Sequence, residues 1–212
     1  MKIGLLLGSF DPITVGHLHM ISCVLNGGLC DKVLVVVAQH NPWKKNNPAP
    51  FDIRCQMVEA SIKGFGDKCE VCRFEKEFEP PVYSYLPITK AMETYPNDEL
   101  YLIGGEDTMR KLPNWKNFDT HIKDKIDLIE LSRGESKSFR ITKNCLKDDQ
   151  LFRVWFDWSD RFGEESVSYK MQIQRIDISS TIVRNIVAGG MNPYPYVTEE
   201  VCKIIKENKL YR

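Results

Sequence analysis

The sequence has no surplus of either charge: Lys and Arg number 29, as do Asp and Glu, in 212 residues. A chain-wide field of the kind that gathers nucleic acid or an anionic membrane is therefore excluded, and any cations that matter must cluster locally. No apolar run approaches the roughly 18 residues of a membrane span. The opening residues also lack the basic flank, apolar stretch and cleavage site of a secretory leader. The seven cysteines are odd in number and scattered, so a disulfide framework does not organise the chain, and reduced thiols in the cytoplasm or nucleus are expected. Cys69-Glu70-Val71-Cys72 matches Cys-x-x-Cys, but no second pair follows at zinc-finger spacing. In a strand the two thiols would point to opposite faces, so a structural role is expected, with metal or redox chemistry as the alternative. Gly-x-Gly-x-x-Gly and Gly-x-x-x-x-Gly-Lys-Ser/Thr are missing from the opening loop as well, so the dinucleotide and P-loop fingerprints fail there.

What is present begins with a short β-prone apolar run, residues 3–7, followed by Gly8-Ser9-Phe10-Asp11-Pro12-Ile13-Thr14-Val15-Gly16-His17. Leu18, Ile21, Val24 and Leu25 then recur at helical spacing, so the segment reads as buried strand, tight loop and helix. That order brings backbone N–H groups and the positive end of a helix dipole to one point, where anions bind. Gly8 permits close backbone approach, Pro12 stiffens the turn, and His17 in the first helical turn aims an imidazole at the same spot. The alternative for His17 is a surface histidine with local partners.

Residues 32–38 form a continuous β-branched run, typical of an inner strand of a parallel sheet covered on both faces. Ligands of open α/β sheets bind beyond the carboxyl ends of the strands, so the following loop, with Lys44 and Lys45, should face the first loop. Those lysines either meet phosphate or are simply solvated. Phe51, Arg54, Met57, Val58, Ser61 and Ile62 mark the next helix, and residues 70–75 a short strand. Further strands are expected at 99–103, 125–131 and 170–177, and a helix opening at Ser84-Tyr85 and running through Thr89. Gly104-Gly105-Glu106-Asp107 ends one strand, and Asp107 there either accepts hydroxyl donors from a ligand or caps the next helix. Leu112-Pro113-Asn114-Trp115 follows, with Trp115 as core or as a platform for a planar ring.

Late in the chain, Ile178-Ser179-Ser180-Thr181-Ile182-Val183-Arg184 sets hydroxyls at a helix start and a guanidinium one turn on. Ser179, Ser180, Thr181 and Arg184 can together clamp polyphosphate, because hydroxyls and N–H groups locate oxygens that Arg takes in pairs. Taken alone, the same string is an ordinary Ser/Thr cap with a surface Arg.

Thr14-Val15-Gly16-His17 resembles the His/Thr-x-Gly-His signature of the nucleotidylyltransferase superfamily. The string from Gly8 to His17, the Ser84-Tyr85 pair with Thr89, Leu112-Pro113-Asn114-Trp115 and the Ile178-to-Arg184 string resemble the nicotinate/nicotinamide mononucleotide adenylyltransferases. The likeness spans nearly the whole chain, with residues 132–169 as the least family-like part. Leu86 stands where the family often has Thr. The resemblance implies one domain, 1–212, with a Rossmann-like, doubly wound parallel α/β sheet. Residues 178–212 would add a small C-terminal helical part, the phosphate-clamp helix and a terminal helix. It implies adenylyl transfer from ATP, with Mg²⁺, to a pyridine mononucleotide in NAD biosynthesis.

By the same likeness His17 and Arg184 act in catalysis. Gly8, Ser9, Phe10, Thr14, His17, Gly105, Asp107, Ser179, Ser180, Thr181 and Arg184 hold ATP. Ser9, Phe10, Lys44, Lys45, Ser84, Tyr85, Thr89 and Trp115 hold the mononucleotide. No resident metal site, nucleic acid or membrane partner is expected, and a homo-oligomer is compatible with the reading. Two alternatives remain at this point: a pantetheine-phosphate adenylyltransferase, and a regulator that senses nucleotide without turnover. Members of the first tend to be shorter and lack the Leu-Pro-x-Trp step. Trp155 and Trp158 receive no chemical assignment: core, dimer contact and base stacking all stay open, with core favoured.

Overall fold

A computed structural model describes residues 1–39, 48–132, 168–173 and 176–212. Lys44, Lys45, Trp155 and Trp158 lie outside the described residues. The chain opens with β1 (Lys2–Gly8), α1 (Val15–Asn26), β2 (Lys32–Val37), α2 (Phe51–Ile62) and β3 (Cys69–Cys72). It continues with α3 (Tyr85–Thr94), β4 (Glu99–Gly105), α4 (Glu106–Lys111), α5 (Phe118–His121) and β5 (Asp127–Ser132). The last elements are β6 (Ser168–Gln172), α6 (Ser180–Ala188) and α7 (Glu199–Glu207).

The six strands form one parallel sheet in the order β3-β2-β1-β4-β5-β6. That is the Rossmann-like doubly wound arrangement expected from the sequence. Strand order reverses at β1, which pairs with β2 on one side and β4 on the other. In such sheets the crevice at the reversal, beyond the carboxyl ends, receives ligands. The loop after Gly8 and the turn after Gly105 both open there.

Why both faces are covered follows from side-chain alternation. Val33, Val35 and Val37 of β2 enter one core with Ile21 and Val24 of α1, Met57 and Val58 of α2, Val183 of α6 and Val201 of α7. Leu34 and Val36 enter the other with Ile88 of α3, Met109 of α4 and Phe118 of α5. Each such buried aliphatic contributes about 1.5–3 kcal/mol. Cys69 and Cys72 divide between the same two cores, as their spacing in a strand requires. Burial pushes both thiols up to about 12, so neither carries the thiolate that metal or redox chemistry needs.

Strand ends and one helix cap differ from the sequence expectation. The strand expected at 70–75 is β3, Cys69–Cys72, after which Phe74–Glu77 turns into a 3-10 helix with Glu75 buried. The strand expected at 170–177 is β6, Ser168–Gln172. Asp107 does not cap α4: Gly105 occupies that position, and Asp107 lies in the first turn. There its carboxylate suits the helix dipole and meets Arg110 at 3.4 Å.

Candidate active site

Gly8, the last residue of β1, lies beneath the ring of Phe10: an added Cβ would come within 2.9 Å of Phe10 Cζ. Phe10 itself is buried with φ at 44°, a left-handed turn that brings the chain sharply off the strand. Its ring meets the His17 imidazole edge-on, with centroids 5.2 Å apart. Thr14 then starts α1 in extended geometry. His17 Nδ1 accepts the Thr14 N–H at 3.0 Å and lies 2.9 Å from Thr14 Oγ1. Because a backbone N–H can only donate, Nδ1 is the acceptor and the imidazole hydrogen resides on Nε2. His17 is thus a capping residue as well as a candidate donor, a role that its position three residues after Thr14 signals.

The late hydroxyl-arginine string meets this loop directly. Arg184 Nη1 donates to the Asp11 carbonyl at 2.7 Å, and Ser180 Oγ donates to the Pro12 carbonyl at 2.8 Å. Gly16 makes the approach possible, since a Cβ there would lie 3.2 Å from Ile178 Cγ2. Ser179 caps α6 by accepting the Ile182 N–H at 3.3 Å, and Thr181 Oγ1 accepts from Arg184 Nη2 at 3.0 Å. Segments more than 160 residues apart therefore share one corner of the molecule.

Gly105 ends β4 at the same sheet edge, and the Asp107 side chain is 88 % exposed just beyond it. Ser84, Tyr85, Thr89 and Trp115 belong to the opposite face: Tyr85 and Trp115 pack against the α3–α5 core. Ser84 takes the cap position of α3. Tyr85 lies against the His121 ring at 4.9 Å, and Lys116 Nζ lies 4.2 Å from the Tyr83 ring centroid. Of these four residues the sequence reading named only Tyr85. Among the described residues no group of three or more His, Cys, Asp or Glu is arranged to hold a metal ion.

Comparison with known proteins agrees with this architecture. The cytidylyltransferase-like family matches residues 5–186. A probable nicotinate-nucleotide adenylyltransferase of Cytophaga hutchinsonii is 30% identical over 213 residues, covering 100% of this chain and 98% of that protein. One from Flavobacterium johnsoniae is 29% identical over 213 residues, covering all of both. The chain belongs to the nicotinate/nicotinamide mononucleotide adenylyltransferase family. The fold is shared with a solved structure, Plasmodium falciparum nicotinic acid mononucleotide adenylyltransferase complexed with NaAD. The TM-score is 0.74 at 19% identity, covering 99% of this chain and 97% of that one. Family membership makes adenylyl transfer the class of reaction to be explained.

In this member of the family the sequence reading missed the residue that joins the histidine loop to the arginine helix start. Asp11 is only 6% exposed, and a buried carboxylate must be paired. Its Oδ1 accepts the Tyr211 hydroxyl at 2.7 Å and the Ala49 N–H at 3.1 Å, while Oδ2 lies 3.8 Å from Arg184 Nη1. Burial raises the Tyr211 phenol above its ordinary range, and the bond to Asp11 raises it further, so the hydroxyl stays a donor. Tyr211→Phe removes one bond to a charged acceptor and keeps the ring packing. Urea unfolding is expected to register a loss of about 1.5–3 kcal/mol, and an unchanged midpoint would mean that the bond contributes nothing.

Proposed function

We propose that this protein transfers the adenylyl group of ATP to nicotinic acid mononucleotide, nicotinamide mononucleotide or both, forming the NAD-type dinucleotide. A 5′-phosphate oxygen of the mononucleotide attacks the α-phosphorus in line; the new O–P bond forms as the bond to the β-phosphate oxygen breaks and pyrophosphate leaves. The attacking oxygen is nucleophilic at neutral pH without a base, so the residues contribute position and charge stabilisation.

In this reading His17 Nε2–H donates to an α-phosphate oxygen as negative charge builds there, assisted by N–H groups around Ser9 and Phe10. Arg184, with the Ser179 and Thr181 hydroxyls and the N-terminal N–H groups of α6, that of Ser180 among them, grips the β- and γ-phosphates. Two of the guanidinium's five N–H donors engage Asp11 and Thr181, which leaves its face pre-aimed. ATP would enter as its Mg²⁺ complex, and the ion would supply positive charge against the triphosphate beside Arg184. Asp107 accepts ribose hydroxyls, Trp115 lies against the pyridine ring, Ser84, Tyr85 and Thr89 line the mononucleotide side, and Lys44 or Lys45 meets the attacking phosphate.

The observation that carries the reading is the pair of bonds from Arg184 and Ser180 to the carbonyls of Asp11 and Pro12. They bring a histidine loop and an arginine helix start to one corner, which supports reading it as the anion site. The test is pyrophosphate release from ATP with each pyridine mononucleotide and with a pantetheine phosphate offered separately. Release with at least one pyridine mononucleotide is the expected result. Release with the pantetheine phosphate alone, or with no acceptor, overturns it.

A further inference from the structure

We infer that Arg54 and Glu75 are positioning residues for the phosphate-facing floor of the site, holding the carboxyl ends of β1 and β2 in one shape to a degree set by the charge on Glu75. The inference rests on the reading of that floor as a nucleotide site.

Arg54 sits on the buried stripe of α2 and is 1% exposed. Removing a guanidinium from water is costly unless its donors are satisfied. Here four carbonyls satisfy them. Nη1 donates to Ser9 and to Ala38, both at 2.6 Å, Nη2 to Gln39 at 3.0 Å and Nε to Ala49 at 2.8 Å. One side chain thus ties together the end of β1, the end of β2 and the entry to α2.

The direction of these bonds matters for the site. In a planar trans peptide the C=O and the following N–H point oppositely. Drawing the Ser9 carbonyl toward Arg54 therefore turns the Phe10 N–H away from it, toward the side on which the loop would meet phosphate. The peptide between Ala38 and Gln39 is held at both poles, because its N–H donates to Glu75 Oε2 at 2.7 Å. Ser9 Oγ and Gln39 Oε1 are buried with no hydrogen-bond partner among the described residues. The residues that Arg54 fixes thus carry polar atoms that the packing leaves unused.

Burial pushes the Glu75 carboxyl up to about 7, against the opposing pull of the Gln39 N–H and the Arg54 charge. Arg54 is the charge facing it from α2, with Asp11 and Tyr211 beyond. On its own segment Arg73 pairs with Glu59 at 2.6 Å and Lys76 with Asp52 at 3.1 Å, and from α3 Lys90 pairs with Glu77 at 3.0 Å. Above about pH 7 the carboxylate makes a charge-assisted bond to the Gln39 N–H; below it that bond weakens.

The experiment compares kcat and KM for the mononucleotide in wild type, Glu75→Gln and Arg54→Lys between about pH 6 and 8.5. Glu75→Gln keeps an acceptor oxygen and removes the titrating charge. The variant-to-wild-type ratio of KM is expected to be about 3–10 at the alkaline end and to fall toward 1 at the acid end. Titration of the substrate phosphate and of other residues cancels in that ratio. Arg54→Lys, which keeps the charge but not the planar fork, is expected to raise KM about tenfold at all pH values. A ratio constant with pH for Glu75→Gln, or an unchanged KM for Arg54→Lys, overturns the inference while leaving the functional reading intact. No turnover by the wild type with either mononucleotide overturns both.

Discussion

Replacing His17 with alanine is expected to lower kcat by roughly 10²- to 10³-fold, the effect of deleting one preorganised donor to a developing oxyanion. The geometry makes the prediction specific. Because Nδ1 is committed to Thr14, the donor is Nε2–H and is aimed by the same bond that caps α1. The substitution also removes that capping acceptor, which costs about 0.5–2 kcal/mol of stability. A domain of this size is expected to remain folded after such a loss. Turnover and stability therefore separate, and steady-state kinetics beside urea unfolding measures both. Near-wild-type kcat in a folded variant would remove His17 from the chemistry and leave it only as a cap.

The second large effect is expected at Arg184. Arg184→Met should raise the apparent KM for ATP by about 10- to 100-fold, the equivalent of about one charge-assisted hydrogen bond to phosphate. KM for the mononucleotide should change far less, since the arginine is assigned to the β- and γ-phosphates. Arg184→Lys should fall between, as an ammonium keeps the charge but cannot take two oxygens at once. The variant also loses the bond to the Asp11 carbonyl and the ion pair at 3.8 Å, so thermal unfolding belongs beside the kinetics. An unchanged KM for ATP would reduce the arginine to a structural strut between α6 and the loop.

The two substitutions probe a corner that was legible in the sequence for local reasons. β1, β2, β4 and β5 are apolar runs ended by glycine or polar punctuation, and α1 and α2 repeat at helical spacing, so their patterns needed no partner to be recognised. Harder to see were pairings between distant residues. Asp11 reads as a turn residue until Tyr211, 200 positions later, donates to it. Glu75 was read as the end of a strand because nothing nearby announces the buried bond to Gln39.

Arg54 was the exception in kind. An arginine in the stripe of Phe51, Met57, Val58 and Ile62 is the visible sign of a buried cation, yet its purpose depends on carbonyls up to 45 positions away. The mononucleotide side was legible only as motif fragments. Tyr85 and Trp115 are there, but the contact of Tyr85 with His121 follows from how α3 and α5 fold together.

A structure of the complex with an α,β-methylene analogue of ATP tests the central claim most directly. The α-phosphate is expected within about 3.2 Å of His17 Nε2, with the β- and γ-phosphates on Arg184 and the first turn of α6. A triphosphate bound elsewhere, or touching only one of the two segments, would contradict the account.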